Sequence, residues 1–332
     1  MADVARPSEM SRLISRATLI QAILPVALVV MVLAFSFVEP RVLSTGNLIN
    51  IAIQSSYLVI FATAQMVVIL TRGFDLSLGT AVSAVSVTSA LGMTGMVGPE
   101  GQGLAQALIL GILMGLAIGV GTGLFNGFAV AWLRVNPFVA TLGSLNICLG
   151  IATMASDGRP VFNVPNEFSR LVYSGTVLNI PVPIVLAGIV LLVTWFILNY
   201  TVFGRALYIL GGNPRAATVA GIPSRRYLLL AYVMCSVIAA IGALMLTGRT
   251  GSGEPNLGGN LTLESIAAAV IGGVSLRGGL GGVQSCILGA VFITALSNGM
   301  NLMRVDGYIQ MIVLGCVVIL AIFLDRLRAM RS

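Results

Sequence analysis

Long apolar stretches, separated by short segments rich in Gly, Pro, Asn and Arg, run along nearly the whole chain. A helix of about 20 mainly apolar residues crosses the hydrocarbon core of a bilayer. On that length scale the pattern predicts ten spans: 19–38, 48–70, 76–97, 104–133, 137–155, 180–200, 227–247, 261–276, 280–303 and 307–324. The fourth is long enough to tilt or to run past the membrane. The eighth is short and glycine-rich, as a broken or re-entrant helix would be. The first run is longer than the roughly 7–15 residues of a signal-peptide core and ends in Phe37-Val38-Glu39-Pro40 without a small-residue cleavage site. It reads as a retained helix. The fold class is all-α: one polytopic membrane domain over residues 19–325, with segment 1–18 before it and tail 326–332 after it.

The connections orient the spans. With the N-terminus in the cytoplasm and ten alternating spans, one side holds Arg6, Arg12, Arg16, Arg72, Arg134, Arg205, Arg215, Arg225, Arg226, Arg277, Arg326, Arg328 and Arg331. The other holds Arg41, Arg159, Arg170, Arg249 and Arg304, together with Glu39, Glu100, Asp157, Glu167, Glu254 and Asp306. Arginine gathers on the cytoplasmic side of membrane proteins, so both termini are expected inside. Lipid is the main solvent, and nucleic acid is not needed to explain the net charge of +7.

Three polar segments break the apolar pattern: 71–80 and 202–226 on the inner side, and 157–179 on the outer. Within 202–226, Asn213 can cap a short helix and Pro214 suits its first position. The helix would span 215–220, including Ala216 and Ala217, and end at Gly221 and Pro223 ahead of Arg225. Such a helix on the membrane face suits docking of another protein. The plainer reading is a solvated loop whose arginines only fix topology.

Gly111, Gly115, Gly119, Gly123 and Gly127 recur every four residues along the fourth span. They keep small residues on one face, where a second helix approaches closely. That helix belongs either to this chain or to a neighbouring subunit. A short internal likeness links Gly73–Gly79 (GFDLSLG) with Gly273–Gly279 (GVSLRGG), as duplicated transporter halves would.

Composition then removes whole classes of function. Hydrophobic residues make up 57% and charged residues 9%, against about 25% charged in soluble domains, and the mean hydropathy is +1.01. There is no His, and all 18 basic residues are Arg. Without Lys there is no phosphate-binding Gly-Lys-Ser/Thr loop; without His there is no His-Glu-x-x-His metal site or Ser-His-Asp triad. No enzyme is expected, and no catalytic, cofactor or metal residues. Cys148, Cys235, Cys286 and Cys316 lie far apart in apolar runs and read as small packing residues.

A few polar residues near or in the spans are functional candidates. Asp75 caps the third span through N–H groups near Ser77 and Leu78, or meets another protein, or relays protons. Glu264 either favours the positive end of the eighth span or faces a vestibule. Asn298 and Asn301 are weaker vestibule candidates. Trp132 and Trp195 sit at span ends, where aromatic belts lie, with stacking on a bound solute as the other reading.

Four segments together resemble the permease family of carbohydrate ABC importers, the group of ribose, xylose, arabinose and galactose permeases. They are VILTRGFDLSLG (68–79), GLFNGFAVAWLRVNPFVATLG (123–143), FGRALYILGGNPRAATVAGI (203–222) and LESIAAAVIGGVSLRGGLGG (263–282). Arg72 stands where the family has a small residue, Phe74 where it has Ile, and Arg277 where a small or polar residue is expected; these departures bear on substrate rather than family. The resemblance implies two copies or two related permeases forming one path, a separate ATPase carrying ATP and Mg docked on the inner loops, and a periplasmic sugar-binding protein outside. It implies that 202–226 is the coupling loop, with Gly79 and Arg277 belonging to family motifs. The solute left open is a monosaccharide or, alternatively, a nucleoside, amino acid or furanosyl signal. An ion-coupled secondary transporter is a further class, disfavoured by the scarcity of intramembrane carboxylates.

Overall fold

The computed structural model describes residues 24–95 and 103–330. Segment 1–18 with Arg6, Arg12 and Arg16, the start of the first span, the end of the third, Glu100 and Arg331 lie outside the described residues.

The helices are α1 Leu24–Val38, α2 Thr45–Ile69, α3 Leu78–Thr94, α4 Leu104–Ala131, α5 Pro137–Ala155, α6 Asn166–Ser169, α7 Val182–Tyr200, α8 Val202–Gly212, α9 Pro214–Val219, α10 Ser224–Thr250, α11 Leu261–Ile271, α12 Val283–Leu302 and α13 Gly307–Met330. The only strands among the described residues are β1 Thr176–Val177 and β2 Ile180–Pro181, paired antiparallel. Six helices (α2, α4, α5, α7, α10 and α12) are long and apolar enough to cross a membrane; the apolar α1, α3, α8 and α11 are shorter. The chain is a largely helical membrane protein.

α2 is the axis of the bundle. Every residue from Ser55 to Ile69 is buried, the all-round burial expected of a helix enclosed by others. Its flanks are taken by α10, α11, α12 and α7. All five ladder glycines of α4 face inward, and their partners are in this chain. A Cβ on Gly119 would lie 2.6 Å from Ala240 Cβ, one on Gly123 2.6 Å from Val233 Cα and one on Gly127 2.8 Å from Leu229 Cα, all on α10. Gly111 meets Met93 and Ser89 of α3. The ladder is an internal seam, not a subunit contact.

The 157–179 segment is folded rather than an open loop. It holds α6, a π turn at Arg170–Ser174 and β1. It lies across the end of α10: Val161 bridges Gly253, and Ser169 Oγ donates to Gly248 O at 2.6 Å.

The largest departure from the sequence pattern follows α10. Gly251 ends this helix at φ +67, and the chain turns back into the bundle. Glu254 N donates to Ser86 Oγ at 3.1 Å and Gly258 N to Ser83 Oγ at 3.1 Å, while Gly79 N donates to Thr262 Oγ1 at 2.9 Å. Residues 254–262 therefore descend along α3, so Glu254 is not on a free outer loop. α11 begins only beside the first turn of α3. It has 11 residues where the pattern predicted 16, about 16 Å of helix. The hydroxyls of Ser83 and Ser86 satisfy the backbone of this non-helical stretch, and Thr262 in return accepts from Gly79 N at the start of α3, the condition for irregular chain inside a membrane domain.

Candidate functional site

At one end of the bundle the short helices α8 and α9 meet two loops. α8 is capped by Thr201, whose hydroxyl accepts from Gly204 N at 3.2 Å, and turns Gly204, Ala206, Leu207, Leu210 and Gly211 inward. That face repeats at helical spacing and makes α8 amphipathic, although its glycines read as loop in the sequence. Asn213 then redirects the chain: its Oδ1 accepts from Ala216 N at 3.0 Å, Pro214 occupies the first position of α9, and Gly221 follows at φ +70. The expected helix over 215–220 is found at 214–219. Ala217 is its buried anchor, while Arg215, Ala216 and Val219 are exposed, Val219 at 90%. Arg225 is exposed in the first turn of α10.

Arg72 ties this end to α2. The last carbonyls of a helix have no partner within it. Those of Gly211 and Gly212 accept from Arg72 Nε at 2.5 Å and Nη2 at 2.9 Å. A cation at a helix C-terminus is also favoured by the helix dipole. Arg72 holds φ +67, a backbone that suits glycine, so its side chain is retained against a local cost. Beside it, Gly279 N donates to Leu70 O at 2.9 Å and Tyr208 OH to Gly281 O at 2.9 Å. A Cβ on Gly211 would collide with Leu70 O, and one on Gly279 would come within 2.5 Å of Gly212 N. Leu70 and Arg72, just ahead of the first segment of the faint internal likeness, and Gly278 and Gly279, at the end of the second, thus meet around the end of α8. Arg277 is exposed on the second, its N–H donating to Ser275 Oγ at 3.3 Å.

Asp75 lies deeper. Its Oδ1 accepts from Ser77 N at 2.9 Å, Ser77 Oγ at 2.5 Å and Asn126 Nδ2 at 3.4 Å; Cys235 Sγ approaches Oδ2 at 3.9 Å. Asn126 in turn accepts from Ser144 Oγ and donates to Ser77 Oγ at 2.9 Å. This network joins the α2–α3 loop to α4, α5 and α10. Asp75 is 1% exposed, which removes direct contact with another protein from its readings. The capping reading fits the Ser77 bonds; Leu78 N is not among its donors. Gly79 touches Gly258 backbone to backbone. Asn126 falls within the family-like segment 123–143, whereas Thr262 carries no signal in the sequence beyond polarity in an apolar run.

A cavity of about 410 Å³ lies toward the other end, lined by Gln54, Tyr57, Arg249, Asn260, Glu264, Ser297 and Gln310 with apolar walls from Leu58, Leu246 and Leu314. Glu264 is in the first turn of α11. Asn298 and Asn301 do not line this space. Asn298 is buried and exchanges two hydrogen bonds with Asn47, at 2.9 and 3.0 Å, and Asn301 Oδ1 accepts from Gln310 Nε2 at 2.9 Å. No group of three His, Cys, Asp or Glu side chains converges among the described residues. Cys148, Cys235 and Cys286 are buried, but Cys316 is exposed. Trp132 and Trp195 are partly exposed, Trp132 stacked with Phe128 and Trp195 edge-on to Tyr200.

Comparison with known proteins places this arrangement. The family model described as branched-chain amino acid transport system / permease component matches residues 47–322. The D-allose transport system permease protein of Escherichia coli strain K12 is 34% identical over 301 residues, 90% of each chain. The ribose import permease protein of Bacillus subtilis strain 168 is 34% identical over 300 residues, again 90% of each.

The chain belongs to this permease family. The galactose/methyl galactoside import permease protein of E. coli strain K12 is a further relative, 35% identical over 318 residues, covering 92% of this chain and 94% of its own. The resemblance read from the four sequence segments is upheld by these sugar permeases. No solved structure matches the chain. The match covers the α8–α9 end, the Asp75 network and the cavity.

Proposed function

We propose that this chain is the membrane-spanning permease subunit of an ATP-driven, binding-protein-dependent importer, moving a monosaccharide across the bacterial inner membrane by alternating access. Ten spans with both termini cytoplasmic accord with the arginine distribution, and put α8–α9 inside and the cavity toward the periplasm. The observation that carries the reading is α9: a capped, exposed helix directly joined to α8, whose end is bonded to the α2–α3 and α11–α12 loops. An ATPase closing on α9 would move α8 and, through Arg72, the loops that lead into α3 and α12. Two permeases, identical or related, would form the path, and ATP hydrolysis would occur on the separate subunit because this chain has no Lys.

The family's description favours a second solute class within the same mechanism, an amino acid. The sugar names of the relatives favour a monosaccharide.

The test is uptake of radiolabelled monosaccharide into liposomes holding the permease with and without its ATPase and binding protein. Uptake is expected only with both partners and ATP, and Arg215→Glu should abolish it while the complex still assembles. Uptake by the permease alone, driven by an ion gradient, would overturn the reading.

A further inference from the structure

Glu264 is a carboxylate that the fold leaves unanswered. It is half-buried in the cavity wall, and among the described residues its side chain accepts no hydrogen bond and forms no ion pair. Two amides beside it are spent on one side only. Gln54 gives Nε2 to Asn50 Oδ1 at 3.0 Å, and Gln310 gives Nε2 to Asn301 Oδ1 and to Val305 O, both at 2.9 Å. Their carbonyl oxygens remain. Tyr57, on the same wall, is 3% exposed and its buried hydroxyl has no partner among the described residues. Buried polar groups are nearly always hydrogen-bonded, and those that are not call for an explanation.

We propose that this cavity binds a neutral polyhydroxylated solute of monosaccharide size, with the Glu264 carboxylate as central acceptor and the Gln54 and Gln310 carbonyls beside it. Its volume of about 410 Å³ falls in the range of roughly 300–1,000 Å³ typical of small-molecule sites. The chemistry selects the ligand class. Acceptors at Glu264 and the two amide carbonyls, with donors at Asn260, Ser297 and Tyr57 on the same wall, fit a molecule carrying several O–H groups, each able to donate one bond and accept another. A zwitterionic amino acid would engage Glu264 and Arg249 and leave the amides and hydroxyls of the wall unanswered. Among the described residues Arg249 brings the one guanidinium to this cavity, over the Tyr57 ring at 5.5 Å from the centroid. The positive end of α11 already offsets the charge of Glu264, so the carboxylate needs hydrogen-bond donors rather than a counter-ion. The inference rests on the chain being a solute permease.

The complete reconstituted transporter tests it, with D-ribose, D-galactose and L-leucine as probes. Glu264→Leu removes the acceptor and should lower kcat/KM for sugar uptake about thirty-fold, the loss expected of a charge-assisted hydrogen bond. Glu264→Gln keeps an acceptor and should retain at least a third of it; an ammonium site would lose as much with Gln as with Leu. Ser297→Phe, which fills the cavity, should also block uptake. Complex assembly and the melting temperature of the purified complex, kept in all three variants, would exclude misfolding. Sugar uptake at the wild-type level in both Glu264→Leu and Ser297→Phe would overturn the site while leaving the importer reading intact. So would wild-type uptake of L-leucine and neither sugar. Wild-type uptake that needs no ATPase would instead strike the underlying reading.

Discussion

At the α8–α9 end, backbone carbonyls that a helix terminus would leave open are filled: Gly211 and Gly212 by Arg72, Leu70 by the Gly279 N–H. Around the cavity, the Glu264 carboxylate and the Tyr57 hydroxyl have no hydrogen-bond partner among the described residues. The first region presses Gly211, Gly212 and Gly279 against neighbouring backbone and locks them with the Arg72 side chain, leaving little space to absorb a displacement. The second is walled by side chains from five helices with space between them. A contact that transmits movement needs the former, and a place that takes up and releases a solute needs the latter. Between them, the Asp75 network and the touching Gly79 and Gly258 join the two halves of the bundle.

Substitutions that put volume into the filled end should do the greatest damage. Gly211→Val would drive a side chain into Leu70 O and the Gly279 N–H. A loss of about 3 kcal/mol or more is expected, read as failure to recover folded protein in detergent. Asp75→Ala strands the donors of Ser77 and Asn126 in a buried site. It should cost about 1–3 kcal/mol, seen as a lower melting temperature, and the isosteric Asp75→Asn should cost less.

Arg72 separates strain from contact. Both Arg72→Gly and Arg72→Ala lose the two bonds to α8, but only glycine relieves the φ of +67. The alanine variant should be the less stable by about 1 kcal/mol, and both should transport less solute per ATP hydrolysed. Equal coupling in the wild type and both variants would confine Arg72 to a packing role. The smallest effect is the contrast along α4. Gly123→Ala meets the α10 backbone, whereas Gly121 has nothing within 4 Å. Gly121→Ala should change the melting temperature little, or raise it through helix propensity of about 1 kcal/mol.

The spans were legible because lipid imposes a length and a composition on them. α5 was read at its observed bounds, 137–155, since Asn136 and Pro137 mark its start in the sequence as in the structure. α9 was legible for the same reason, through Asn213, Pro214 and Gly221. The descent of residues 254–262 was not. Gly, Pro and Asn in a row ordinarily mean a loop outside the membrane, and only the hydroxyls of Ser83 and Ser86, 171 and 168 residues away from Glu254, make the buried course tolerable. α8 was missed because Gly204, Gly211 and Gly212 read as loop, although two of these three are its packing face. At the sites, Glu264 was singled out as a lone carboxylate. Its neighbours Gln54, Ser297 and Gln310 carry no local signal and converge only through the fold. Asn298, chosen for its position near a span end, proved to be satisfied by Asn47.

Chemical cross-linking at α9 reaches the central claim most directly. In a Cys316→Ser background, Val219→Cys would carry a thiol on a residue that is 90% exposed. With the ATPase present in proteoliposomes, a short bifunctional maleimide should join the two chains, and uptake should stop as the cross-link forms. Full uptake with no cross-link from Val219 or from an equivalent cysteine at Arg215 would contradict the assignment of α9 as the docking helix.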